Sequence, residues 1–178
     1  MKLIVGLGNI GDKYKLNRHN VGFLVIDYLV NEFEAFKVSF SKGDLFKVKE
    51  FLFLKPSTFM NNSGESIVLV KNFYKIDNED IIVIHDDIDL KLGALKFKRG
   101  GSSGGHNGLK SIDSYIGDDY YRVRIGVGRP KKKEEVIDYV LSDFSKDEFK
   151  CIQTLFAKIK LAIWDIKNAS SKYSQKEC

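Results

Sequence analysis

Short apolar, β-branched runs alternate along this chain with segments in which apolar residues recur every three to four positions, and that alternation predicts an α/β domain. Five runs read as strands: Leu3-Ile4-Val5, Val48 to Leu54, Ile81 to Ile84, Leu95 to Lys98 and Val123 to Val127. Between the first two, Val21 to Phe33 carries Leu24, Ile26, Leu29, Val30 and Phe33 at helical spacing. Asn62 followed three residues later by Glu65 has the pattern of a capping box, which predicts a helix running to about Tyr74. Ile152, Leu155, Phe156, Ile159, Ile163 and Ile166 make one apolar stripe and predict a long C-terminal helix. The polar tail after Asn168 is expected to fray. No repeat, proline-rich linker or low-complexity block divides residues 1–178. The reading is one domain with a mixed, mostly parallel central sheet flanked by helices.

Composition narrows the class. The chain is long enough to bury a proper core, and 29 Lys+Arg against 24 Asp+Glu give a net charge of +5 and a pI near 9.0, a mild preference for a polyanionic partner. Cys151, inside an expected helix, and Cys178, at the end, offer neither a disulfide framework nor metal-ligand spacing, which favours a reducing cytosol. After Met1 only Leu3 to Leu7 is apolar enough to count, too short for a signal sequence, and no run approaches a membrane span. A soluble, cytoplasmic protein is expected.

Three polar segments follow expected strands, where sites in open α/β sheets gather. They are the turn Gly6 to Gly11 leading to Asn17-Arg18-His19-Asn20, the stretch Pro56 to Gly64, and Gly100 to Gly108. Together they supply asparagines, histidine and exposed backbone N–H groups that could converge on one carbonyl. Familiar motifs do not account for them. Gly6-x-Gly8-x-x-Gly11 matches the dinucleotide fingerprint, but the charged stretch Asp12 to Arg18 stands where its helix should begin. Gly100-Gly101-Ser102-Ser103-Gly104 fits a hydrolase elbow, yet only His106 follows, with no acid before it. The same loop has His106 where a P-loop needs its lysine. In His85-Asp86-Asp87-Ile88-Asp89, neighbours on an extended strand point to opposite faces and do not chelate one ion. One acid at that strand end could instead hydrogen-bond a histidine from another loop, fixing its tautomer and raising its basicity.

Taken together, Gly6-Leu7-Gly8-Asn9, Tyr14, Arg18 to Gly22, Pro56 to Asn61, His85-Asp86-Asp87 and Gly104 to Lys110 resemble the bacterial peptidyl-tRNA hydrolases, in the right order from Lys2 to about Asp143. Ile10 stands where that family usually has proline, and Asn17 where it usually has threonine. The resemblance implies hydrolysis of the ester between a peptide carboxyl and the 3′ ribose of tRNA. His19 would be the general base acting on water and Asp86 its partner. Asn9, Asn61 and Asn107 would hold the substrate, with Tyr14 and Phe59 lining its channel. Lys98 and Arg124, in the alternating strands Lys96-Phe97-Lys98 and Arg122-Val123-Arg124, would bind tRNA phosphates on a solvent-facing side. Neither metal nor cofactor is implied. The partner would be the acceptor end and phosphate backbone of peptidyl-tRNA, with a monomer expected and no obligate protein partner or membrane. Two other classes compete: a non-enzymatic RNA-binding module, and a dinucleotide-dependent oxidoreductase.

Overall fold

Seven strands join in one sheet in the computed structural model, which describes residues 1–178. They are β1 (Lys2–Gly6), β2 (Phe36–Val38), β3 (Gly43–Val48), β4 (Phe51–Pro56), β5 (Ile81–Asp87), β6 (Leu95–Arg99) and β7 (Tyr121–Gly126), in the spatial order β2-β3-β4-β1-β5-β7-β6. The central four are parallel; β2, β3 and β6 extend the sheet with antiparallel edges. The helices are α1 (Val21–Phe33), α2 (Ser63–Tyr74), α3 (Asn107–Ile116), α4 (Val136–Val140), α5 (Lys146–Gln153), α6 (Phe156–Ala162) and α7 (Ala169–Tyr173).

Side chains of a strand alternate between its faces, and here both faces are covered. Ile4, Phe51, Phe53, Ile82 and Ile84 enter a core shared with α1 and the C-terminal helices, while Leu3, Val5, Leu52, Leu54, Ile81 and Val83 enter a second core with α2 and α3. Burial on both faces is why the central strands read as unbroken apolar runs. The carboxyl ends of β1, β4, β5 and β7 open onto one crevice.

Local structure departs from the sequence expectation at four places. The run Val48 to Leu54 is a hairpin, not one strand: Val48 pairs with Phe51 around a two-residue turn, and Lys49 takes a φ of 51° without the glycine or asparagine that would have announced it. Asn62 makes no side-chain cap on α2; the capping box of this protein is Ser145 with Glu148, at the start of α5. The C-terminal stripe is buried as expected, but the helix carrying it is broken into α5 and α6. Around Thr154 the N–H groups of Thr154 and Leu155 bond three residues back, and the Thr154 hydroxyl donates to the Cys151 carbonyl at 2.6 Å. Finally, the tail does not fray. Leu95 and Gln175 exchange backbone bonds, α7 forms, and Cys178 is brought beside Cys151, with their Cα atoms 5.8 Å apart.

The Gly6 turn has a packing explanation. A Cβ on Gly22, at the start of α1, would fall on the Leu7 N–H and the Ile84 carbonyl; one on Gly6 would meet the Gly22 carbonyl, and one on Gly8 the Phe23 ring. Backbone thus lies on backbone where β1, β5 and α1 meet, and this contact seats the loop that precedes α1. Gly22→Ala should lower the unfolding free energy by about 1–3 kcal/mol through overpacking, read as a fall in the urea midpoint; an unshifted midpoint would show that the contact yields freely.

Candidate active site

The loop seated by Gly22 carries Arg18-His19-Asn20 as a single 3₁₀ turn, and the turn places His19 against the end of β5. His19 Nδ1 lies 2.8 Å from Asp86 Oδ2 and 3.0 Å from Oδ1. Asp86 Oδ1 also lies 2.8 Å from Nε2 of His106, so two imidazoles from different loops share one carboxylate. The second ring has its tautomer fixed by the helix it begins: the N–H groups of Gly108 and Leu109 donate to His106 Nδ1 at 3.0 and 3.3 Å, so Nε2 must carry the proton that reaches Asp86. On His19 the same logic puts the proton on Nδ1 and leaves Nε2 as the basic nitrogen.

Electrostatics follow from burial and charge. Burial alone would lower the His19 pKa and raise that of Asp86. Their mutual attraction and hydrogen bond outweigh this: His19 is raised above 6.5, and Asp86, which also faces His106, is held far below the usual carboxylate range. The donor atoms of His19, Asp86 and His106 lie within 4.8 Å of one another, a spacing a metal ion could use, and each contact is accounted for as a hydrogen bond.

Around this trio is a cavity of about 630 Å³. Of the side chains singled out from sequence, Asn9, His19, Phe59, Asn61, Asp86, Lys98, Asn107 and Arg124 line it; Tyr14 does not. It sits on the 3₁₀ turn Asp12–Tyr14, under the Lys13 ammonium. Phe59 is half exposed at the rim with φ 59° and ψ 160°, a backbone region costly for a side-chain-bearing residue. The cations differ from expectation too. Arg122 is buried, donating to the Ser102 carbonyl at 2.6 Å and pairing with Asp113, so it anchors the glycine loop and presents no charge to solvent. Arg124 is half-buried and paired with Asp87 at 2.9 Å; Lys98 is exposed beside Gly101.

Several contributors were not read from sequence. Asn20, buried, accepts from the Asn9 N–H at 2.8 Å and donates to the Asn9 carbonyl at 2.9 Å. Asn9 Oδ1 in turn accepts from the Met60 N–H at 2.8 Å, which fixes the amide so that Nδ2 is the group left free. The fourth wall is apolar: Val136, Ile137, Val140 and Leu141, on and after α4. Arg18 holds this wall through Ser142, Asp143 and Glu148, and Asn17 adds a bond to Asp143 at 2.6 Å, a use for the asparagine that departs from the family pattern. Ile10, the other departure, faces a neighbouring groove of about 400 Å³ that shares Asn9. Asn20 adjoins His19 in sequence and could have been weighed; the α4 wall had no signal in a short polar segment.

Fold and site together define an α/β enzyme whose crevice, at the carboxyl ends of parallel strands, sets a His–Asp pair among carboxamides and cations. Comparison with known proteins narrows this. The family model for peptidyl-tRNA hydrolase matches residues 3–177, and the chain belongs to that family. Peptidyl-tRNA hydrolases of Sulfurovum sp. and Aliarcobacter butzleri are 54% and 52% identical, each over 99% of this chain and over 97% and 100% of their own length. The crystal structure of the Acinetobacter baumannii peptidyl-tRNA hydrolase superposes with a TM-score of 0.92 at 33% identity, covering 99% of this chain and 96% of that one. Asn20→Ala leaves two buried backbone groups of Asn9 without partners and should cost about 1–3 kcal/mol of stability. Chemical denaturation measures this, and a loss within error of zero would mean Asn20 does not hold the loop.

Proposed function

We infer that this chain hydrolyses the ester between the peptide and the 3′ ribose of peptidyl-tRNA, with His19 as the general base that activates water. The observation that carries the mechanism is the Asp86 carboxylate on His19 Nδ1, which leaves Nε2 free to accept a proton from water. Asp86 holds the ring and stabilises the imidazolium that forms. An ester has a better leaving group than an amide, so positioned water and a base suffice without a covalent intermediate. Family membership supports the substrate; the converging loops support the assignment of roles.

Asn9, Asn61 and Asn107 are the substrate-holding amides. Asn9 offers N–H rather than oxygen to the cavity, since Met60 occupies its oxygen. That polarity suits a carbonyl of the peptide. A free α-ammonium is itself only a donor and would sit unpaired, which disfavours unblocked aminoacyl-tRNA. Phe59 and the α4 wall supply apolar surface for the peptide. Lys98 and Arg124, on adjacent strands β6 and β7, take tRNA phosphates, Arg124 sharing its charge with Asp87. A binding module without turnover leaves the His–Asp pair unused. Oxidoreductase chemistry on a dinucleotide lacks a helix N-terminus at Gly11, where only a three-residue 3₁₀ turn follows.

Release of labelled N-acetylated amino acid from tRNA tests the whole reading. His19→Ala should lose on the order of 10²–10⁴-fold in kcat; near-normal turnover would refute the base assignment. Because His19 is raised above the ordinary 6.5, kcat/KM should fall as pH drops through its raised pKa, so the acid limb lies above 6.5. In Asp86→Asn the raising partner is gone while burial still lowers the ring, so the acid limb should move to lower pH with kcat reduced; an unmoved limb would uncouple the pair. Asn9→Asp turns the free donor into an acceptor and should cut the preference for blocked over unblocked substrate by about tenfold or more, and an unchanged ratio would reject the donor assignment. Lys98→Gln should weaken tRNA binding and flatten its salt dependence by about one counterion. Identical slopes for mutant and wild type would remove Lys98 from the phosphate site.

A further inference from the structure

His85 is buried beside Asp86, and none of the chemistry above uses it. Its place is explained by where β1 ends. Carbonyls along a strand point alternately to its two neighbours. On β5 the Ile84 carbonyl accepts from the Leu7 N–H at 3.0 Å, on the β1 side, and the Asp87 carbonyl from the Val127 N–H at 3.1 Å, on the β7 side. The Asp86 carbonyl therefore faces the β1 side, but β1 has ended at Gly6 and the chain has turned into the Asn9 loop. The His85 Nδ1–H fills the vacancy, donating to the Asp86 carbonyl at 2.7 Å. The same ring packs edge-to-face on His106, with centroids 5.3 Å apart and planes at 74°, and His106 is the second imidazole on the Asp86 carboxylate. One buried ring thus touches both the backbone that carries Asp86 and the side chain that steadies it.

We propose that His85 is a positioning residue for the hydrolysis: it caps the strand end that carries Asp86 and, through Asp86 and His106, sets the pose and basicity of His19. The proposal rests on His19 being the base. Burial, and then the neighbouring His106, lowers the His85 pKa to about 4, which keeps the ring a neutral Nδ1–H donor. The titratable and charged groups sharing the His19 cavity are His85, Asp86 and Asp87 of β5, Asp89 after it, Lys98 of β6, His106 at the start of α3, Arg122 and Arg124 of β7, and Arg129 and Lys133 before α4. Of these, Asp86 alone is hydrogen-bonded to His19, and the His106 ring packs on it with centroids 4.9 Å apart, so a change at His85 reaches the base through Asp86 and His106. A displaced Asp86 raises His19 less, while burial lowers it as before.

The test is kcat/KM against pH for the full chain on N-acetylaminoacyl-tRNA, comparing wild type, His85→Leu and His85→Gln, with His19→Ala as control. His85→Leu should lose about tenfold or more in kcat with KM little changed, as for other partners that orient a catalytic group. Its acid limb should move to lower pH. His85→Gln, whose amide N–H can reach the same carbonyl, should recover most of both. A His85→Leu enzyme with wild-type kcat and limb, beside an inactive His19→Ala, overturns the proposal and spares the base assignment; so does a Gln variant no better than Leu. An active His19→Ala overturns both. Should His85→Leu not fold, nitrogen-15 NMR of the wild-type histidines decides: His85 must be the Nδ1–H tautomer, and an Nε2–H tautomer or a midpoint near the ordinary 6.5 overturns the proposal.

Discussion

Asp86 is an ionised side chain with 3% exposure, and an ion so placed is tolerated only when its lost hydration is replaced by well-aimed donors. Two imidazole N–H groups provide them, His19 from the loop after β1 and His106 from the loop after β6. Each donor is held from behind by something other than Asp86. The His19 turn is seated by the backbone contact at Gly22, and His106 is held by the N–H groups of α3. Withdrawing either ring would leave a buried charge short of a partner, so three chain segments far apart in sequence are drawn to one point.

The glycines serve this geometry rather than a nucleotide. At Gly6, Gly8 and Gly22 the neighbouring atoms lie where a Cβ would be, and the space saved lets the carboxyl ends of β1 and β5 approach the start of α1. A fingerprint that looks like a phosphate cradle in sequence is here a close-packing device. The glycine loop before His106 has a different basis, since Gly100, Gly101, Gly104 and Gly105 all take positive φ and the segment is pinned from beneath by Arg122. Arg122 shows why charge patterning misled. Alternation placed it on the same strand as Arg124, but it could not reveal that the glycine loop would fold over one of the two.

Sequence was most legible where local pattern and tertiary context agree. Val21 to Phe33 is a helix over those same residues, with Ile26 and Leu29 of its apolar stripe buried and Leu24, Val30 and Phe33 packed against the same core. The central strands declared themselves through burial on both faces. Pattern failed where a long-range contact decided the outcome. The Lys49 turn has no turn residue and is imposed by the pairing of β3 with β4; the tail after Asn168 is polar, yet β6 offers it an unpaired edge. At the site, eight of the nine side chains named through the family resemblance line the cavity. Tyr14 does not; it is an aromatic whose position followed from the motif and not from any periodicity. Polarity was beyond sequence altogether: only the Met60 N–H on its oxygen tells which end of the Asn9 amide is free.

Three histidines lie within one small region, and the proposed choice of His19 among them rests on their lone pairs. His106 spends the lone pair of Nδ1 on two backbone N–H groups at the head of α3. His85 is buried and lowered to about 4, with its one N–H committed to a main-chain carbonyl. Only His19 combines a carboxylate that raises its basicity with a second nitrogen bonded to nothing in the protein. Placing the two other rings around Asp86 as donors of neutral hydrogen bonds lets the carboxylate keep its full charge for His19, the ring that becomes positive in the proposed reaction. A lysine or arginine in either position would have neutralised Asp86 permanently, and the pull on His19 would have been lost.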